Sequence, residues 1–433
     1  MENQILKNLP LSHHTEVFDE TLINLKRKYM DLWWRTETST PDFPNTYTPK
    51  QQKQIEQELG IFVDTISNWL EKYSFSQLKK REIKQDLIDR SKNRLGNMTK
   101  SSGLYFSENF NNGIKKSSKL FLEKIKQYDP EIEVKYIYQA MRNLWIMNSL
   151  QDYLNVKMTC SNSMFAYSML YPYTDNAMDD VLKPVEEKLE LHGKLKKWLE
   201  GDECYPDSES EQKIFAMVKL IEGEFPRDKY PLVFPSVLTI FNAQLKSLDQ
   251  QKKGALPYVN NILDISFEKG GTSVLADGFL LTGAMEKKQV DFCFCYGAFL
   301  QFADDIQDVL VDKENYQMTI FSQLANNYPL DQLANKLLNF ITLVSDLQLS
   351  DPIYESLRKT IISNCYFLII RAIGKNKGLY SKNYVREIES HFPVRFKYYD
   401  KTRNKLTKIF RKHKGTGINI DTLIDVFSYM ASS

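Results

Sequence analysis

Along most of this chain apolar residues recur at the three- and four-residue intervals of an α-helix, and the alternation of a half-buried strand is rare. The pattern predicts a helix over 14–35, a loop rich in Thr and Pro over 36–50, and a second helix over 51–73 opening after Thr48-Pro49. Residues 76–127 are lysine-rich and interrupted at Gly96, Gly103 and Gly113, and no element is assigned to them. Further helices are expected over 130–158, 162–184, 184–201, 210–224, 232–252, 256–268, 272–284, 287–312, 330–347, 351–373, 382–391 and 397–413. The expected architecture is all-α, with many antiparallel helices around one interior.

Two acidic runs interrupt this pattern. The first is Tyr173-Thr174-Asp175-Asn176-Ala177-Met178-Asp179-Asp180. The second is Gln301-Phe302-Ala303-Asp304-Asp305-Ile306-Gln307-Asp308, with Asp312 one turn further on. Each follows a strongly apolar stretch, where carboxylates are costly unless a cation compensates them. Asp175 and Asp179 are four apart, as are Asp304 and Asp308, and Asp308 and Asp312, so each set shares a helix face. Hard oxygen donors at this spacing suit Mg²⁺, which keeps several waters and often takes phosphate oxygens as its remaining ligands. The two runs are read as two walls of one cavity sharing metal ions, with Asp175, Asp179, Asp180, Asp304, Asp305, Asp308 and Asp312 as candidate ligands. The simpler alternative is a solvated acidic face or a pair of N-caps.

Composition narrows the classes. A chain of 433 residues with 42% hydrophobic content can bury a large core, and a net charge of +2 argues against a dedicated nucleic-acid binder. The five cysteines form no Cys-x-x-Cys pair, which suits a reducing compartment. The N-terminus has no apolar core of signal-peptide length, and no apolar run is long enough to span a bilayer, so a cytoplasmic protein without a transmembrane segment is expected.

If phosphate is the ligand, cationic groups should accompany the acids. Arg227 and Lys229 lie in a Pro-bounded loop between two helices. Lys269 precedes Gly270-Gly271, where a helix is expected to break and expose backbone polar groups. Against these stand a surface turn for the first pair and an ordinary helix end for Lys269. Aromatic residues cluster near both acidic runs, Tyr171 and Phe299 among them, and ring faces attract cations. Ordinary core packing explains any one of them equally. The five histidines lie far from both runs in sequence, and no Gly-x-Gly-x-x-Gly, P-loop or Gly-x-Ser-x-Gly string occurs.

The two acidic motifs, with Gln301 heading the second, resemble the aspartate-rich motifs of class I isoprenoid enzymes. The wider stretches 170–180 and 300–324 look like a bacterial group near squalene/phytoene synthases and large class I terpene synthases. The resemblance covers roughly residues 130–400. It implies a helical bundle around a central active-site cavity over 126–433, preceded by a helical extension over 1–125. It further implies three Mg²⁺ ions with a prenyl diphosphate bound, and allows a homodimer. In that setting Arg227, Lys229, Lys269, Gln301, Tyr171 and Phe299 would contact substrate, and Lys269-Gly270-Gly271 would be the broken helix facing diphosphate. The Gly-Gly-Lys site and Arg pair of chain-elongating prenyltransferases are absent, as are the Asn-x-x-x-Ser-x-x-x-Glu motif of plant and fungal cyclases and the Asp-x-Asp-Asp of proton-initiated cyclases. The expected activity is therefore a terpene synthase. Head-to-head condensation of two prenyl diphosphates, a metal phosphohydrolase and a non-catalytic helical scaffold are the alternatives.

Overall fold

The computed structural model describes residues 11–73, 108–179, 184–251, 261–325 and 327–412. Among the described residues are fifteen α-helices, three short 3-10 turns and no strand, so the protein is all-α. In chain order the helices are α1 (Leu11–Arg35), α2 (Pro49–Tyr73), α3 (Glu108–Tyr128), α4 (Val134–Tyr153) and α5 (Asn162–Asp179). Next come α6 (Val185–Glu200), α7 (Glu209–Glu224), α8 (Val233–Ser247), α9 (Ile262–Thr282) and α10 (Lys287–Glu314). The last five are α11 (Ile320–Leu324), α12 (Asp331–Gln348), α13 (Glu355–Lys375), α14 (Lys382–Glu389) and α15 (Phe396–Lys412). No helix among the described residues is long and apolar enough to cross a membrane.

Local chemistry accounts for several boundaries. The Asn261 side chain caps α9 by accepting from the Asp264 backbone N–H at 3.1 Å, and Gly283 ends that helix at φ +73°. At the start of α10 the Glu286 N–H donates back to the Gln289 side chain at 2.8 Å. Ser208 caps α7 by accepting from the Glu211 N–H at 3.2 Å.

The chain forms two compact units, and both take in residues from before and after position 125. The first comprises 1–37, 131–323 and 346–348. In it α1 buries Phe18, Leu22, Leu25, Tyr29 and Trp33, a three-and-four spacing that makes one apolar stripe. Trp33 stacks on Phe302 of α10 with centroids 4.8 Å apart, and Phe18 meets Phe279 of α9 at 5.9 Å. On the polar side of α9, Lys26 of α1 and Lys246 of α8 each pair with both Asp264 and Glu268, at 2.6 to 3.0 Å. The second unit comprises 38–130, 324–345 and 349–433. Gln52 of α2 donates to the Glu389 and Phe392 carbonyls at 2.8 and 2.9 Å, and Tyr384 donates to Asn335 at 2.7 Å.

One expectation fails here. Residues 256–268 and 272–284 were expected to be two helices separated at Gly270-Gly271, but α9 runs unbroken through both glycines. The reason is packing. A Cβ on Gly270 would strike the Gly297 carbonyl and the Gln301 Cβ, and one on Gly271 would enter the Phe294 ring. These glycines let α9 and α10 touch backbone to backbone, so the close approach, and not a turn, accounts for them.

Candidate active site

The site is built on α9 as a ruler. Ser163, at the start of α5, donates to the Leu280 carbonyl near the end of α9, at 3.0 Å. Further along α5, Tyr171 shares a hydrogen bond with Ser273 at 2.5 Å. The two helices are thus antiparallel, and α5 carries Asp175 and Asp179 toward the N-terminal half of α9. The course of α5 through these two residues is described; their side chains, and Asp180 altogether, lie outside the described residues. Helix α10 is antiparallel to α9 as well, since Gly297 faces Gly270 while Asp305 faces Ser266. Both acidic runs therefore approach the same end of α9. Pro172, inside α5, removes one backbone donor just before Asp175.

On α10 the acids form one stripe. At about 100° per residue, Asp304, Asp308, Asp312 and Asp305 fall within an arc of about 100°. Gln301 Nε2 donates to Asp305 Oδ1 at 2.8 Å, and Ser266 Oγ donates to Asp305 Oδ2 at 3.3 Å. Gln301 thus orients an acid of the stripe. Burial pushes the Asp305 carboxyl up to about 7, and neighbouring Asp304 adds to this, while Gln301, Lys269 and Ser266 pull it down. Burial and the charges of Asp305, Asp308 and Asp304 push Asp312 up to about 8. Lys269 of α9 bears electrostatically on both Asp305 and Asp312, so the unbroken helix still presents it to the stripe.

Sequence reasoning missed Arg142. It lies on α4 and its Nη2 donates to Asp304 Oδ1 at 3.1 Å. An isolated cation within Ala140-Met141-Arg142-Asn143-Leu144 was the available signal. It also missed a buried polar group deeper on the same face of α9. Asp277 is fully buried and accepts from Asn143 Nδ2 at 3.1 Å; burial holds its carboxyl well above the usual range.

Arg227 and Lys229 are placed elsewhere. Their loop packs on the far end of α9, where Tyr230 and Phe225 lie against Gly283. From Lys269 to Gly283 the helix rises about 20 Å at 1.5 Å per residue. The Arg227 guanidinium is also committed: it donates to Glu222 at 2.7 Å, to the Trp198 carbonyl at 2.9 Å and to the Leu199 carbonyl. It caps the end of α6 and lies over the Phe234 ring, 3.6 Å from its centroid. Lys229 is exposed and sits over Tyr230. Neither belongs with the acidic stripe.

The aromatic candidates divide. Phe299 is fully buried, as are Phe294 and Phe302, and serves the core. Tyr171 is partly exposed; with Tyr167, Leu170, Thr174, Ile240, Phe241 and Gln244 it lines a narrow crevice between α5 and α8. A second cavity, in the other unit beside Phe43 and His391, holds about 20 Å³, room for one water.

A divalent ion fits the donor set of the stripe, because its oxygens are hard and its charge exceeds what Arg142 and Lys269 supply. Among the described residues no three such side chains converge tightly enough to cage an ion unaided. Acids spread along one helix need ligands from a second wall, and α5 approaches from that side.

No family model matches this chain. No curated protein matches it. Among solved structures, a geranylgeranyl pyrophosphate synthetase from the archaeon Geoglobus acetivorans is similar over 73% of this chain and 99% of its own, with 12% identity and a TM-score of 0.30. A likeness that slight supports no functional step, and the residues themselves bear the reading that follows.

Proposed function

We propose that this protein is a Mg²⁺-dependent class I terpene synthase that ionises a prenyl diphosphate and cyclises or deprotonates the resulting cation to a hydrocarbon. The observation behind the reading is the arrival of both acidic runs at one end of α9, beside Lys269 and Arg142. Asp304, Asp305, Asp308 and Asp312 would hold the ions from α10, and Asp175, Asp179 and Asp180 from the α5 side. Bound Mg²⁺ would neutralise the charge that builds on the departing diphosphate oxygens.

The chain's own residues do the rest. Lys269 would donate to a diphosphate oxygen, and Arg142, once Asp304 turns to an ion, could offer its two-pronged guanidinium to another. Gln301 and Ser266 hold Asp305 in one orientation. When the C–O bond breaks, its electron pair leaves with diphosphate and an allylic cation remains. The Tyr167 and Tyr171 rings, 5.3 Å apart, would face that cation. Loss of a proton from the cation then yields the alkene.

A non-catalytic helical scaffold is the second reading, favoured by the finding that among the described residues no three metal-ligating side chains converge. Incubation with C10 to C25 prenyl diphosphates, with and without Mg²⁺, separates the two. One diphosphate released per hydrocarbon, only with Mg²⁺, supports the synthase. Two per hydrocarbon mark head-to-head condensation, and a plain prenol marks hydrolysis. No turnover and no Mg²⁺-dependent diphosphate binding leave the scaffold.

A further inference from the structure

We propose that α15 is a docking surface for an anionic lipid membrane. Between Phe396 and Lys414 the sequence holds eight Lys or Arg and a single acid, Asp400, so about +7 is concentrated in a chain whose total is +2. The remainder of the chain is therefore net negative.

The helix turns this charge outward. Lys397, Lys401, Lys405 and Lys408 are all exposed and recur at helical spacing, within an arc of about 80°. Lys397 and Lys408 are separated by about 16 Å along the axis. The other side of α15 is fixed to its unit. Tyr398 donates to the Glu56 carbonyl at 2.6 Å, Phe396 lies against Gly374, and Tyr399 meets Phe392 edge-on. Arg395, just before the helix, pairs with Glu56. Gly60 leaves room for the Tyr398 hydroxyl, which a Cβ there would approach to 3.0 Å. Of the acids nearby, Asp64 pairs with Lys405, and Asp400 lies near Lys377 and Arg403. Among the described residues no ion pair engages Lys397, Lys401 or Lys408.

A straight stripe of lysines on a convex helix matches a flat array of phosphate headgroups. Nucleic acid fits less well. No exposed aromatic ring stands on α15 among its described side chains to stack on a base.

The test is sedimentation of the full chain with neutral phosphatidylcholine vesicles, with phosphatidylglycerol-rich vesicles, and with DNA and RNA oligonucleotides in competition. Binding is expected only to the phosphatidylglycerol vesicles, weakening as salt rises. Each lysine near an anionic surface contributes about a fivefold gain, so the triple variant K397Q/K401Q/K408Q should lose about 100-fold in partitioning. The corresponding triple replacement by Arg should restore it. The variant K196Q/K219Q, on α6 and α7, should bind as the parent does. Circular dichroism checks that the exposed substitutions leave the helices intact. Three results would overturn the proposal: no preference for anionic vesicles, an unchanged triple Gln variant, or an equal loss in K196Q/K219Q. Tight oligonucleotide binding without vesicle binding would overturn it in favour of nucleic acid.

Discussion

Gly270 and Gly297 meet backbone to backbone where α9 crosses α10, each occupying the space that the other's Cβ would need. The crossing sets the distance between the two helices. Four residues before Gly270 on α9 is Ser266, which reaches Asp305 of α10. The geometry of the acidic stripe therefore rests on two missing methyl groups.

Gly297→Val should lower stability by roughly 1–3 kcal/mol, because overpacking at a helix crossing pushes the backbones apart. It should weaken Mg²⁺-dependent diphosphate binding as well, since Lys269 and Ser266 would move away from Asp305. Urea denaturation reads the first effect and calorimetry the second. A variant of parental stability would show that the crossing is looser than described.

Arg227→Ala separates the expectation from the sequence from the structural finding. Removing the guanidinium takes one donor each from the Trp198 and Leu199 carbonyls and from Glu222, which keeps Lys219, in a place where Arg227 is only 14% exposed. A stability loss of about 1–3 kcal/mol is expected, with diphosphate affinity unchanged. Lys269→Ala should do the reverse, costing about tenfold or more in diphosphate affinity and little stability. If Arg227→Ala lost affinity and kept its stability, the helix-capping role would be wrong.

Asp305 and Asp312 predict a pH dependence in the absence of metal. Their folded values, about 7 and about 8, lie above the unfolded carboxylate value of about 3.9. Between about pH 4 and pH 8 the folded chain thus holds protons that the unfolded chain has released, and stability falls as pH rises through that window. Glu56, Glu222 and Asp264 are shifted down, so they act only below about pH 4.5. His192 is also shifted down by burial and tilts the curve the other way below the ordinary imidazole value. Comparing Asp305→Asn with the parent isolates the stripe: the variant's curve should be flatter, and Mg²⁺ should flatten the parent's. Parallel curves from pH 5 to pH 8 would contradict the shifts.

Asp304→Ala and Asp305→Ala should each abolish turnover while the fold persists. Losing one ligand from a shared ion site reduces charge stabilisation on the leaving group by several kcal/mol, roughly. In the metal-free chain the same deletion relieves repulsion within the stripe. Product analysis together with thermal melting reads both outcomes, and near-parental activity in either variant would move the metal site elsewhere.

Local periodicity alone determined a good deal of this protein. The three-and-four spacing marked twelve of the fifteen described helices to within a few residues, because a helical face is set by neighbours one turn away; it left α3 and the short α11 unassigned and divided α9 in two. The same spacing put Asp304, Asp308 and Asp312 on one face, and α10 carries them so. What local spacing could not decide was which helix ends meet. Lys269-Gly270-Gly271 reads equally well as a break or as a crossing, and only the presence of Gly297 and Phe294 against it selects the crossing. Arg227 and Lys269 are both cations near helix ends in the sequence, yet antiparallel packing puts about 20 Å of α9 between their neighbourhoods. Arg142 reaches Asp304 from 162 residues away, a pairing that exists only because α4 packs into the same bundle. Those outcomes depend on burial and backbone contact between segments distant in sequence, and tertiary structure alone decided them.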